Sequence, residues 1–164
     1  MQKQHVTLSI NGRDYSADIE PRTLLSDFLR HSAGLTGTHV GCEHGVCGVC
    51  SVLIDGKSSR SCLAFAIQCE GREIETVESL GSQGDLHPLQ EGFWAKHGLQ
   101  CGYCTPGILM TAAELLRENP NPSREDIREA ISGNLCRCTG YQTIIESIEH
   151  AVALMQNKTS EAAE

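Results

Sequence analysis

"GCEHGVCGVC", residues 41–50, sets three cysteines and three glycines into ten positions. Glycine at that density disfavours both helix and strand, so the stretch reads as a loop. Cys42, Cys47 and Cys50 must hold something, and the glycines let the backbone wrap around it. Working outward, the thiols fall into two unlike groups. Cys42, Cys47, Cys50 and Cys62 are spaced C-x4-C-x2-C-x11-C, whereas Cys101, Cys104, Cys136 and Cys138 are spaced C-x2-C-x31-C-x-C. Cys69 stands outside both groups and is expected to be a buried core thiol.

The segments around the two groups differ in periodicity. "HVTLSINGRDYSADI" (5–19) alternates polar and apolar residues on either side of Asn11-Gly12, which predicts a two-residue hairpin. "PRTLLSDFLRHSAG" (21–34) predicts a short helix with Leu24, Leu25, Phe28 and Leu29 on one face and a stop at Gly34. "CSVLIDGKSSR" (50–60) reads as a second hairpin turning at Asp55-Gly56, and "EIETV" (73–77) as a last strand. A small mixed sheet with a helix across it follows for the first half. The second half is helical. "PLQEGFWAKHG" (88–98) predicts one helix, and "TPGILMTAAELLREN" (105–119) a second, with Thr105 as N-cap and Pro106 at the first helical position. "SREDIREAISG" (123–133) starts on Ser123 with Asp126 three residues on. "TGYQTIIESIEHAVALM" (139–155) carries a Thr139/Gln142 capping box. The chain is therefore expected to be α+β, with a domain at 1–79, a linker at 80–87 around Gly81, Gly84 and Pro88, a helical bundle at 88–156, and a disordered tail at 157–164. The linker is expected to separate two cores.

Composition excludes several roles. Thirteen Lys and Arg against 21 Asp and Glu give a net charge of −8, without the clustered positive field that nucleic acid or an anionic membrane surface requires. No apolar run of signal-peptide or transmembrane type occurs, so the expectation is a cytoplasmic protein. In that compartment nine cysteines, an odd number, point to metal ligation rather than disulfides. No G-x-G-x-x-G, P-loop or nucleophile elbow is present, and no acid–base pair stands out. His5, His31, His39, His87, His97 and His150 are scattered. Trp94 is expected to anchor the bundle or an interface.

Spacing decides what the first group holds. C-x4-C-x2-C with a distant fourth cysteine is the plant-type [2Fe–2S] arrangement, three ligands coming from one encircling loop. Structural zinc sites show two short-spaced pairs instead. A Rieske centre fails, because no histidine follows Cys62 or Cys69 closely enough to complete a second Cys–His pair. His44 is thus expected to be a surface loop residue. For the second group, spacing alone leaves iron–sulfur and zinc both open.

"GCEHGVCGVC…RSCLAFA", "QCGYCTPG" and "GNLCRCTGYQ" together resemble the small iron–sulfur subunit of the molybdenum hydroxylases, the xanthine dehydrogenase, aldehyde oxidoreductase and carbon monoxide dehydrogenase group. The resemblance spans residues 4–156 and keeps the family's order. It implies a plant-type ferredoxin-like β-grasp domain followed by a four-helix-bundle domain, each holding a [2Fe–2S] cluster, the second on Cys101, Cys104, Cys136 and Cys138. It implies partners as well: a large subunit bearing molybdopterin and a medium subunit bearing FAD. Single electrons would pass from the first to the second through this chain. Gln100 and Cys138 would lie against the pterin by the same resemblance. A free-standing two-cluster electron carrier is the alternative function.

Overall fold

The computed structural model describes residues 2–161, and side chains as far as residue 157. Strands β1 (Gln4–Ile10) and β2 (Arg13–Ile19) pair antiparallel across Asn11-Gly12. Both turn residues take positive φ, 54° and 70°, the turn that matches strand twist and that this dipeptide accepts readily. Strands β3 (Ser51–Ile54) and β4 (Lys57–Arg60) repeat the device at Asp55-Gly56. With β5 (Glu73–Glu75) they make one mixed sheet in the order β2-β1-β5-β3-β4, in which only the β1–β5 pair is parallel. Helix α1 (Leu25–Asp27) opens into a wider π turn over Phe28–Ser32, and Leu25, Phe28 and Leu29 are buried beneath it. Leu24 does not join that face; it bridges to Phe65 at the head of the helix.

Four helices follow: α2 (Pro88–Ala95), α3 (Thr105–Glu118), α4 (Arg124–Ala130) and α5 (Gln142–Glu161). The chain is thus α+β. α5 runs beyond the expected end, so residues 157–161 of the anticipated disordered tail are helical, while 162–164 lie outside the described residues. The expected linker is a folded turn. Ser82 and Asp85 exchange backbone hydrogen bonds of 3.0 Å, and His87 with Gln90 forms the capping box of α2. No described helix is long and apolar enough to cross a membrane.

Two apolar clusters form. Val6, Leu8, Ile10, Phe28, Val52 and Ile74 are at the heart of one, in the sheet; Phe93, Ile108, Ile127, Ile144 and Ile148 are at the heart of the other, among the helices. Helix α3 belongs to both halves. All four side chains of β3 are buried because α3 packs on the face turned away from α1. Glu114 of α3 accepts from the Ser58 amide at 3.0 Å, Lys57 pairs with Glu118, and Arg117 grips Glu75 through two bonds of 2.6 Å. Trp94, 79% exposed, is no core anchor; Phe93 beside it fills that role at 2%.

Candidate metal centres

The loop expected from "GCEHGVCGVC" forms as an irregular coil between the π turn and β3. Gly45 and Gly48 sit at φ +82° and +70°, as an encircling loop needs. Its thiols gather on one side of the loop: the Cys47 amide approaches Cys42 Sγ at 3.5 Å, and the Cys50 thiol is near enough to Cys62 to act on its ionisation. The Cys47 and His44 amides hold the Cys42 thiol down at about 6, a setting that favours thiolate. Burial pushes Cys62 up to about 11. His44 is exposed and bonds the Cys42 carbonyl through Nδ1, as a surface loop residue does.

The second group is assembled by helix starts. Cys104 occupies the N-cap of α3, so the expected Thr105 cap is displaced by one residue: the helix begins at Thr105 with no side-chain cap. The expected Thr139/Gln142 capping box is replaced as well. Thr139 Oγ1 instead meets Cys136 Sγ at 3.3 Å and accepts from the Tyr141 amide at 3.1 Å, and α5 begins only at Gln142. Tyr141, at φ +68°, turns its hydroxyl onto the Cys136 amide (2.9 Å) and the Asn134 carbonyl (3.2 Å). The Thr139 hydroxyl is drawn into the Cys136 turn, while Cys104 takes the N-cap position that Thr105 was expected to hold. Cys101 Sγ and Cys138 Sγ lie 3.5 Å apart, and the Cys136 thiol is near enough to Cys104 to act on its ionisation. Burial pushes Cys104 up to about 12. For Cys136 burial acts upward, but the Thr139 hydroxyl and amide more than offset it and the thiol is lowered. Cys101 and Cys138 are exposed, beside exposed Gln100 and the half-exposed Tyr103 ring. Cys69 lies apart, buried in the sheet core against the Phe65 carbonyl, its thiol raised by burial.

These donor sets fit a two-iron cluster better than a single ion. Among the described residues no three His, Cys, Asp or Glu side chains converge as a mononuclear site demands. Each group instead offers four cysteine thiols, the donor set that a [2Fe–2S] cluster would take. A Cβ on Gly41 would come within 3.3 Å of Cys47 Sγ, so the glycine leaves the space beside that sulfur free. Thr105 Oγ1, next to Cys104, is buried without a hydrogen-bond partner, as a donor reserved for a cluster sulfur would be.

Comparison with known proteins agrees. Residues 8–79 match a family model described as a 2Fe-2S iron–sulfur cluster binding domain, and residues 76–149 one described as a [2Fe-2S] binding domain. The chain therefore contains two iron–sulfur binding units. It is 53% identical over 153 residues to the nicotine 6-hydroxylase small subunit of Paenarthrobacter nicotinovorans, covering 93% of this chain and 92% of that one. The caffeine dehydrogenase subunit gamma of Pseudomonas sp. (strain CBB1) is also 53% identical, with 91% of each chain covered. In the crystal structure of quinoline 2-oxidoreductase from Pseudomonas putida 86, one chain superposes with a TM-score of 0.88 at 52% identity, covering 96% of this chain and 98% of that one. The protein belongs to the small iron–sulfur subunits of the molybdenum hydroxylase family. As such it is the non-catalytic electron-transfer subunit of an oxidoreductase.

Proposed function

We propose that the chain relays single electrons from a molybdopterin-bearing large subunit to FAD on a medium subunit, in the cytoplasm. Cys42, Cys47, Cys50 and Cys62 hold one [2Fe–2S] cluster in a β-grasp domain over 1–79. Cys101, Cys104, Cys136 and Cys138 hold the other in a four-helix bundle over 88–156. When bound, each cluster supplies a one-electron carrier. One observation carries this reading: the Cys47 carbonyl accepts from the Leu135 amide at 2.8 Å, and Leu135 adjoins Cys136. A single hydrogen bond thus joins the backbone of a first-group cysteine to the neighbour of a second-group cysteine. A carrier needing only one centre has no use for that juncture. The exposed edge formed by Gln100, Cys101 and Cys138 is the side we assign to the pterin, since a partner's cofactor needs access to at least one thiol-bound centre.

Metal analysis of the purified chain tests the assignment. Two clusters require about four irons and four acid-labile sulfides per chain. Firmly bound zinc, or half that iron, rejects the second cluster. Native mass separates a relay subunit, which travels with larger chains, from a free-standing carrier, which runs alone.

A further inference from the structure

Asn134 lies two residues before Cys136 and is 1% exposed. Its side chain bridges the two halves. Nδ2 donates to the Gly48 carbonyl at 2.9 Å and approaches Ser51 Oγ at 3.5 Å, both in the loop that carries Cys47 and Cys50. Oδ1 lies 3.2 Å from the Thr111 hydroxyl on α3. The ring of contacts closes through Ser51, whose hydroxyl donates to the same Gly48 carbonyl at 2.6 Å, and through Arg60. That guanidinium spans Ser51 Oγ (2.6 Å) and the Gly133 carbonyl (2.9 Å). The backbones beneath are in contact without side chains between them. A Cβ on Gly48 would sit 2.2 Å from the Gly133 oxygen, and one on Gly107 would sit 2.4 Å from the Gly48 oxygen.

Such an arrangement exceeds what stability asks. A buried amide whose donors and acceptor are all engaged is fixed in orientation, and losing one partner leaves the rest unsatisfied in a dry site. Here the fixed object is the placement of one cysteine loop against the other. Relay between two centres depends steeply on their separation and relative orientation, so a shift too small to disturb either site is large for transfer between them. The Leu135–Cys47 hydrogen bond is set by the same contact, one residue further along each strand of chain. We infer that Asn134 is the positioning residue for transfer between the two centres, locking the 47–51 loop to the 133–136 turn through Gly48, Ser51 and Thr111. This rests on the two-cluster reading above, and the experiment keeps the two apart.

The test uses the full chain, loaded with iron and sulfide, as wild type, Asn134→Ala and Thr111→Val. Thr111→Val keeps the side-chain shape and removes only the hydroxyl, which is shared between Asn134 Oδ1 and the Gly107 carbonyl of its own helix. Iron and sulfide content comes first: a wild type with one cluster would reject the two-cluster reading, and the present inference with it. With both clusters in place, low-temperature electron paramagnetic resonance of the fully reduced protein reports their mutual magnetic splitting, and rapid mixing with a substoichiometric reductant reports the rate at which an electron equilibrates between them. Asn134→Ala should keep its iron, lose the resolved splitting, and slow equilibration by about 10- to 100-fold. Thr111→Val should move both readouts in the same direction by less. Unchanged splitting and rate in an iron-replete Asn134→Ala, even with a lowered melting temperature, would make the residue structural only and overturn the inference. If Asn134→Ala does not assemble, Thr111→Val decides alone, and wild-type splitting in that variant likewise overturns it.

Discussion

At the scale of single residues, Gln100 and Asn134 take opposite parts. Gln100 is exposed and precedes Cys101 on the open edge, offering an amide donor and a carbonyl acceptor to whatever docks there. Replacing it by alanine should leave both clusters intact, since it is no ligand. In the assembled enzyme it should slow cluster reduction by substrate about fivefold, the effect of one hydrogen bond of about 1 kcal/mol. With the flavin subunit proposed above, reduction of the plant-type centre by an artificial donor acting through that flavin should stay as in wild type. Stopped-flow bleaching with substrate at the wild-type rate would remove Gln100 from the pathway. Gln100 came from the family resemblance alone. Nothing in the sequence pointed to Asn134, whose partners Gly48 and Ser51 lie 86 and 83 residues away. Contacts at that range leave no periodicity, and an asparagine before a cysteine reads equally well as a turn residue.

Among the elements, α3 is the one on which both halves converge. Its stripe of apolar residues was legible from helical spacing, but its polar face was not, because Glu114, Arg117 and Glu118 read as a solvated surface until β4 and β5 appear beside them. The Arg117 guanidinium, doubly bonded to Glu75, holds that carboxyl below its ordinary value of 4.5. A carboxylate with a depressed pKa in the folded state contributes stability that is present above pH 4.5 and lost as the pH falls through the lowered value. Glu75→Gln should therefore cost about 0.5–1 kcal/mol at neutral pH, the pair being partly exposed and screened. The deficit should shrink as the pH drops below the carboxylate range, and chemical denaturation of the metal-free chain at several pH values would measure it. A deficit independent of pH would mean that Glu75 acts through shape and not charge. The hairpins were legible for the converse reason. Asn11-Gly12 and Asp55-Gly56 write their positive φ into two adjacent residues, and no distant partner alters that. The N-terminal caps of α3 and α5 failed as predictions where cysteine chemistry claimed the same positions.

Over the whole molecule, two apolar cores are joined by the Asn134 contacts and by the polar face of α3. All four thiols of the second group, and the apolar cluster that supports them, come from the helical half. Cys50→Ser should accordingly remove the irons of the first group and leave those of the second, a loss of about half the metal. Thermal unfolding should nevertheless remain a single transition, because α3 and the Asn134 contact tie the halves together. Loss of both clusters at once would show that neither half holds its cluster without the other.

The main-chain contact of Gly48 with Gly133 and Gly107 bears on how such a protein can be recombined. Where two modules meet through side chains, exchanging one of them is a matter of repainting a surface. Beside the side-chain contacts, peptide planes meet here directly, and a foreign plant-type domain brought in to replace residues 1–79 would have to reproduce the curvature of this loop to within the thickness of a methyl group. The two halves travel as a matched set, and a graft would succeed only if it took the 47–51 loop and the 133–136 turn from the same parent.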